Sequence, residues 1–297
     1  MTLTALDTFA GIGGFSLGLE RTGYFETVAF CEIEPYPAGI LSRHWPKVYI
    51  HDDITTLGYT REGDETDDWM LYDKEADHEI VRGPIDVISG GFPCQDISAA
   101  GNQAGLEGER SGLWSELFRL IGEARPRYAV LENVTNLLSG DRGRWFGRVL
   151  GDLASIGYCV EWHCIPASRL GARHRRDRVW IIAYPDPRLS EREDEELRPG
   201  RDALDRSGED PDGPPDYSDT VSERLEGVLE AWATARPIDR PRDGSDPGWW
   251  TIEPDLGRVA HGVPARVDRL KALGNAIVPT LAYVIGLAIA DREGLIR

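Results

Sequence analysis

Seven short apolar runs recur along the chain, at residues 3–9, 28–31, 48–50, 85–89, 128–131, 159–165 and 179–183. Stretches with helical periodicity separate several of them, at 15–22, 36–44, 113–124 and 145–156. Strand alternating with helix predicts an α/β fold built on a doubly wound, mainly parallel sheet. Ligands in such sheets bind beyond the carboxyl ends of the strands, so chemistry is expected in the turns that follow the apolar runs. Past residue 185 the pattern breaks. Order is expected to return near Trp249 and Trp250, continue through 270–274 and end in an apolar helix at about 278–290. This divides the chain into a first domain at 1–185, a small second lobe at 186–266, and a segment 267–297 that returns to the first domain.

Composition narrows the class. With 297 residues, 41% of them hydrophobic, the chain can bury a full-sized core. No basic leader followed by an apolar stretch is evident, nor an apolar run long enough to cross a bilayer, so a cytoplasmic protein with no membrane partner is expected. Cys31, Cys94, Cys159 and Cys164 lie at irregular spacings without a Cys-x-x-Cys, which points to free thiols and to no metal site. The net charge of −18 argues against a protein that simply coats nucleic acid, so any nucleic-acid surface must be local. The excess is uneven. Between 185 and 247, nine arginines face nineteen acids, a net of −10 in a stretch rich in Pro and Gly, which reads as a loosely ordered insert. A second acidic stretch, roughly 62–79, lacks apolar periodicity and reads as a surface loop.

Four constellations carry chemistry. Asp7-Thr8-Phe9-Ala10-Gly11-Ile12-Gly13-Gly14 runs from a strand through a glycine turn into a helix, where backbone can approach a ligand closely at the positive helix end; such turns also serve only to reverse a chain. Glu32 closes the second strand roughly 20 residues later, where nucleotide folds hold ribose hydroxyls. The G-x-G-x-x-G spacing of dinucleotide sites is absent, which tilts the choice of adenosine cofactor toward S-adenosylmethionine. Next, Ser89-Gly90-Gly91-Phe92-Pro93-Cys94-Gln95 places a cysteine on a tight loop after a strand, and a thiolate suits addition to an electron-poor ring carbon. Cys31, Cys159 and Cys164 fit instead the buried structural thiol, since each lies inside an apolar run. Glu132-Asn133-Val134 ends the next strand; Glu132 reads equally as a proton donor in a closed pocket and as a helix-capping acid. Finally Arg173-His174-Arg175-Arg176-Asp177-Arg178 is the densest positive cluster in an acidic chain, suited to phosphate oxygens or a base carbonyl, against the plainer reading of a solvated face.

In this order the four blocks resemble the DNA (cytosine-5) methyltransferase family of bacterial or phage type. The likeness runs from Leu3 to about Pro185 and resumes at Leu273-Gly274-Asn275-Ala276-Ile277-Val278-Pro279, while Arg173 and His174 stand where the family has Pro-Gln. The resemblance implies a Rossmann-like S-adenosylmethionine-dependent fold, with 1–185 catalytic and cofactor-binding and 186–266 the target-recognition region. Phe9, Ala10, Gly11, Gly13 and Gly14 would line the cofactor, Glu32 would hold its ribose, and Ile33 would pack on the adenine. Asp53 and Ile54 would reach the adenine edge, Pro93 and Leu113 the methionine half, and Asn275 and Ala276 would close the pocket. Cys94 would be the nucleophile, Glu132 the acid at N3 of a flipped cytosine, and Arg176 and Arg178 the charged partners of the target nucleotide. DNA contacts would add Gln95 and Ser98. With the acidic insert looping away from the phosphates, base reading would fall to Trp249, Trp250, Arg258, His261, Arg266 and Arg269. The expected partner is double-stranded DNA, bound by a monomer, with a companion restriction endonuclease acting separately. Competing readings are a transfer-RNA cytosine-5 methyltransferase, a catalytically silent DNA-binding homologue and, more remotely, a nicotinamide dehydrogenase.

Overall fold

All seven apolar runs become strands of one sheet. The computed structural model describes residues 1–62, 68–93, 112–172, 176–186, 224–229 and 266–296. Its strands are β1 (Leu3–Thr8), β2 (Phe25–Cys31), β3 (Tyr49–His51), β4 (Leu57–Glu62), β5 (Asp68–Asp73), β6 (His78–Arg82), β7 (Val87–Gly90), β8 (Tyr128–Val134), β9 (Tyr158–Pro166) and β10 (Asp177–Pro185). Helices α1 (Gly14–Glu20), α2 (Pro35–His44), α3 (Gly112–Ala124), α4 (Asn136–Ser139), α5 (Arg144–Ser155), α6 (Arg266–Asn275) and α7 (Pro279–Arg292) intervene or follow. The large sheet has the order β3-β2-β1-β7-β8-β10-β9. Its pairs from β3 to β8 are parallel, whereas β10 runs antiparallel to both β8 and β9. The short 167–176 connection explains the exception, because it turns the chain straight back on β9 without the helical crossover a parallel neighbour needs.

The apolar runs are continuous because both faces of the sheet are covered. Leu6, Ile88, Ala129, Leu131, Val179 and Ile181 enter one core with α3 and α5. Their alternates Ala5, Val87, Val130, Trp180 and Ile182 enter another with α1 and α7. The order reverses between β1 and β7, and the turn at 9–13 and the loop from Gly91 leave the sheet at the carboxyl ends of these two strands, at the crevice this topology creates.

Several expectations change. The described residues of the acidic stretch at 62–79 are mostly strand: β4, β5 and β6 form a separate three-stranded antiparallel sheet. Leu57, Tyr59 and Leu71 are buried against the α3 side of the core, with Trp69, Ile80 and Val81 beside them. Leu57 and Tyr59, and Trp69 and Leu71, are spaced by two, but Gly58 and Met70 lie between them, Ile80 and Val81 are adjacent, and acids flank the short runs. Cys164 is exposed rather than buried, since α5 covers the edge strand β9 at Tyr158 and Val160 and leaves Cys164 open. Residues 224–229, within the supposed second lobe, form a helical turn whose Leu225 and Leu229 are buried with α7 and β10. The remaining acidic insert lies outside the described residues. Val267–Arg292 is also long and apolar enough to cross a membrane by length and composition, contrary to the expectation that no run qualifies. In the fold it is two helices broken at 276–278, with α7 burying Leu281, Val284, Ile285 and Ile289 against α1 and the sheet.

One buried carboxyl fastens the central elements. Asp7, at the end of β1, is fully buried and accepts hydrogen bonds from the Ser16 hydroxyl of α1 (2.8 Å), the Ser16 amide (3.3 Å) and the Ser89 hydroxyl of β7 (2.9 Å). Burial outweighs these donors and pushes the carboxyl up to about 7, from an ordinary 3.8. The native chain therefore holds this proton more tightly than the unfolded one. Stability from it is complete below the unfolded value and is lost as pH rises through about 7. Asp7→Asn keeps the shape and removes the titration. Relative to wild type, the variant should gain on the order of 2–3 kcal/mol in urea unfolding between pH 5 and pH 8. Parallel pH profiles for the two proteins would show that Asp7 is ionised throughout.

Candidate functional site

The glycine turn is shaped by what surrounds it. Phe9, Gly11 and Gly13 all have positive φ (50°, 57° and 83°), so the chain coils tightly between β1 and α1. At Gly13 a β-carbon would also stand 2.6 Å from the Trp45 ring, and at Gly14 it would stand 2.6 Å from the Ile277 carbonyl oxygen. Neither position has room for a side chain. Ala10 is buried, and its amide donates to the Cys31 carbonyl (3.2 Å), joining the turn to β2.

Glu32 clamps this turn from the side. One carboxylate oxygen accepts from the Gly11 amide (2.6 Å) and the other from the Glu34 amide (2.8 Å). Burial raises its pKa, with the two amides opposing. Beside it Ile33 is 68% exposed, an apolar side chain presented to solvent at the rim. Asp53 follows β3 and accepts from the Thr55 amide (2.8 Å), holding its own turn. Ile54 is buried in the core and its carbonyl takes Arg119 (3.1 Å), so this side chain is packed inward. Leu113, on α3, packs partly against the same core.

β7 and β8 are adjacent and parallel, which brings Glu132 beside the loop that leaves β7. A β-carbon on Gly91 would lie 3.4 Å from Glu132 Oε2 and 3.6 Å from Ile277 Cδ1. Asn133 Nδ2 donates to the Phe92 carbonyl (3.1 Å), tying that loop to the end of β8 just before Pro93. Glu132 itself is only 8% exposed and meets Arg178 Nε at 2.8 Å. The register makes this contact: Trp180 lies opposite Glu132, so Arg178, two residues away, shares its face. Two effects compete at the carboxyl. Desolvation raises its pKa, Arg178 and then Arg176 lower it, and desolvation prevails.

Arg176 is occupied elsewhere. Its Nη1 donates to the Gly274 carbonyl and its Nη2 to the Ala276 carbonyl, each at 2.7 Å, on either side of Asn275. The backbone of Arg176 has φ 35°, a conformation that costs a non-glycine residue on the order of 1 kcal/mol. Asn275 is exposed and Ala276 half-buried. Across the rim, Lys271 of α6 pairs with Glu34 (2.8 Å). Cys94, Gln95, Ser98, Arg173, His174, Trp249, Trp250, Arg258 and His261 lie outside the described residues, as does the Arg266 side chain. Arg269 is exposed on α6.

The fold thus gathers the turn at 9–14, Glu32, Ile33, Asp53, Pro93, Glu132, Arg178 and 275–276 at the carboxyl ends of the central strands. Ile277, Asn133, Asp7 and Trp45 were not singled out from sequence. Asn133 had a signal, as the polar residue beside the strand-ending acid, and Ile277 lay within a quoted block. Trp45 had none, because only the fold brings it to Gly13.

Known proteins resemble this chain in family and in fold. The family model described as C-5 cytosine-specific DNA methylase matches residues 3–203. The type II methyltransferase M2.BsuMI of Bacillus subtilis (strain 168) is 34% identical over 193 residues, 63% of this chain and 43% of that protein. M.Sau3AI of Staphylococcus aureus is 35% identical over 196 residues, 61% of this chain and 43% of that one. M1.ScrFI of Lactococcus lactis subsp. cremoris is 31% identical over 220 residues, covering 74% and 51%. The chain spans about half the length of these relatives. Among solved structures, the S. pombe Dnmt2 methyltransferase aligns with a TM-score of 0.54 at 18% identity over 99% of this chain and 100% of that one, a likeness of fold. With the family model covering well over half of its length, the chain belongs to the C-5 cytosine-specific DNA methylase family.

Proposed function

We propose that this chain transfers a methyl group from S-adenosylmethionine to carbon 5 of a cytosine flipped out of double-stranded DNA. The observation that carries the reading is a buried carboxyl, Glu132, paired with Arg178 and adjoining the Phe92–Pro93 loop that leads into Cys94. The rim of β1 and β2 suits the cofactor. Each Glu32 oxygen accepts one amide and keeps a lone pair for a ribose hydroxyl. Exposed Ile33 offers an apolar surface for a flat ring, and the positive-φ turn lets backbone come close to the methionine half. Asp53 on one side and Asn275 and Ala276 on the other would complete the enclosure. When bound, S-adenosylmethionine supplies an electrophilic methyl group.

The residues of the chain supply the rest. Cytosine C5 is a poor nucleophile while the ring is aromatic. Addition of the Cys94 thiolate forms an Sγ–C6 bond and moves the C5–C6 π pair toward C5 and the ring carbonyl system. Glu132, whose proton is favoured by burial, donates to N3 and disperses that charge. Arg178 orients the carboxyl and faces the carbonyl oxygen of the base. Once C5 carries the methyl group, its proton leaves to a base, the Sγ–C6 bond breaks, and its electron pair departs with sulfur as thiolate. None of this is possible within the stack, so the base must be flipped at a cost of a few kcal/mol, about what pocket contacts offset. Modification of DNA alongside a separately acting restriction endonuclease belongs to the same proposal.

Two experiments test these roles. Cys94→Ala should abolish methyl transfer and leave S-adenosylmethionine affinity unchanged, and duplex DNA containing 5-fluorocytosine should trap the wild type covalently, because fluorine cannot leave as a proton. A turning-over Cys94→Ala protein, or no adduct at Cys94, removes the addition mechanism. Glu132→Gln should slow single-turnover transfer by about 10²–10⁴-fold, since an amide donates a hydrogen bond but no proton. It should also flatten the fall in rate that wild type shows as pH rises past the elevated Glu132 pKa. An unchanged rate would leave Glu132 a purely structural acid.

A further inference from the structure

The segment between α6 and α7 touches three chemical blocks at once. Its Ile277 carbonyl fills the space that a side chain on Gly14 would need, and Ile277 Cδ1 lies against Gly91 on the loop that leads to Cys94. Just before it, the carbonyls of Gly274 and Ala276 are both taken by Arg176, from the arginine cluster about 100 residues earlier. The only other tie described for this region of α6, Lys271 to Glu34, joins two half-exposed side chains and contributes little.

We infer that Arg176 is a positioning residue that fastens the α6–α7 segment over the glycine turn, so that cofactor affinity depends on a residue from the arginine cluster even without DNA. The inference rests on the cofactor reading proposed above. Its chemistry is specific to arginine. A planar fork reaches two carbonyls that flank one residue, whereas a lysine ammonium at the same place holds one at a time with less geometric constraint. Arg178 does not share the task, because its Nε is committed to Glu132 and its Nη1 to the Asp177 carbonyl (2.9 Å). The strained φ of Arg176 fits a side chain aimed by its tertiary partners. With the fork removed, the 274–276 backbone keeps only the last turn of α6 and the packing of Ile277 on the glycine turn, and Asn275 and Ala276 lose their fixed place at the pocket rim. By linkage, any DNA phosphate that engages Arg176 then also changes cofactor affinity, and the reverse holds equally.

The full chain carrying Arg176→Gln or Arg176→Lys is compared with wild type by calorimetric titration of S-adenosylmethionine without DNA, and by hydrogen exchange of the amides at 273–278 in the ligand-free protein. Arg176→Gln should bind roughly tenfold more weakly, on the scale of one charge-assisted hydrogen bond, with Arg176→Lys in between. Exchange at 273–278 should be faster in the same order, while amides of the central strands stay protected. Cofactor affinity and exchange both equal to wild type, with only DNA binding impaired, overturns the inference. If wild type itself binds no S-adenosylmethionine, the cofactor reading fails separately, and exchange decides: faster at 273–278 upholds the fastening role, unchanged exchange overturns it. Should Arg176→Gln not fold, Arg176→Lys, which keeps the charge, is read by the same two measurements.

Discussion

Ile277 stands where a side chain on residue 14 would have to be, and that close approach governs the arrangement of the site. It requires glycine at the start of α1, and it brings a residue from the far end of the chain against the turn after β1. The same residue would meet a β-carbon on Gly91 at 3.6 Å, so its aliphatic side chain stands between the two loops that leave the centre of the sheet. α7 continues from this contact into the core beside α1, where burial of Leu281, Val284, Ile285 and Ile289 holds it by apolar area rather than by any single bond. Arg176 closes the arrangement from the side.

Burial of charge is the second constraint. Asp7, Glu32 and Glu132 lie at or near the carboxyl ends of β1, β2 and β8, and each has its pKa raised first by desolvation. Their partners differ. Asp7 has hydroxyls and an amide, Glu32 has two amides, and Glu132 has a guanidinium. Amides and hydroxyls hold a carboxyl in a fixed place, which suits a scaffold and a ribose clamp. A carboxyl that favours its proton beside a fixed positive charge suits donation to a ring nitrogen whose negative charge is only developing.

Much of this was legible in the chain. The seven strands of the main sheet follow from apolar runs because both faces of that sheet are covered, so the runs are unbroken. The neighbourhood of Glu132 and the Pro93 loop follows from strand order once β7 and β8 pair. The hairpin β5–β6 was not legible, because the inward Trp69 and Leu71 are separated by Met70, and Ile80 and Val81 are adjacent, so neither short strand alternates apolar with polar. Nor was the Arg176 fork, since no local pattern links it to carbonyls about 100 residues away. The docking of Leu225 and Leu229 was hidden by the acidic composition around them. A net charge averaged over 185–247 says nothing of two leucines four residues apart, which lie on one face of a helix.

The atom that receives the methyl group decides whether the chain is a cytosine-5 methyltransferase of DNA. Purified chain, duplex DNA of mixed sequence and S-adenosylmethionine carrying a labelled methyl group are incubated together, and the DNA is digested to nucleosides and separated by mass. Label is expected in 5-methyldeoxycytidine alone, at a restricted set of sequence positions. Label in N6-methyladenine or N4-methylcytosine, or label accepted by transfer RNA and not by DNA, would contradict this expectation.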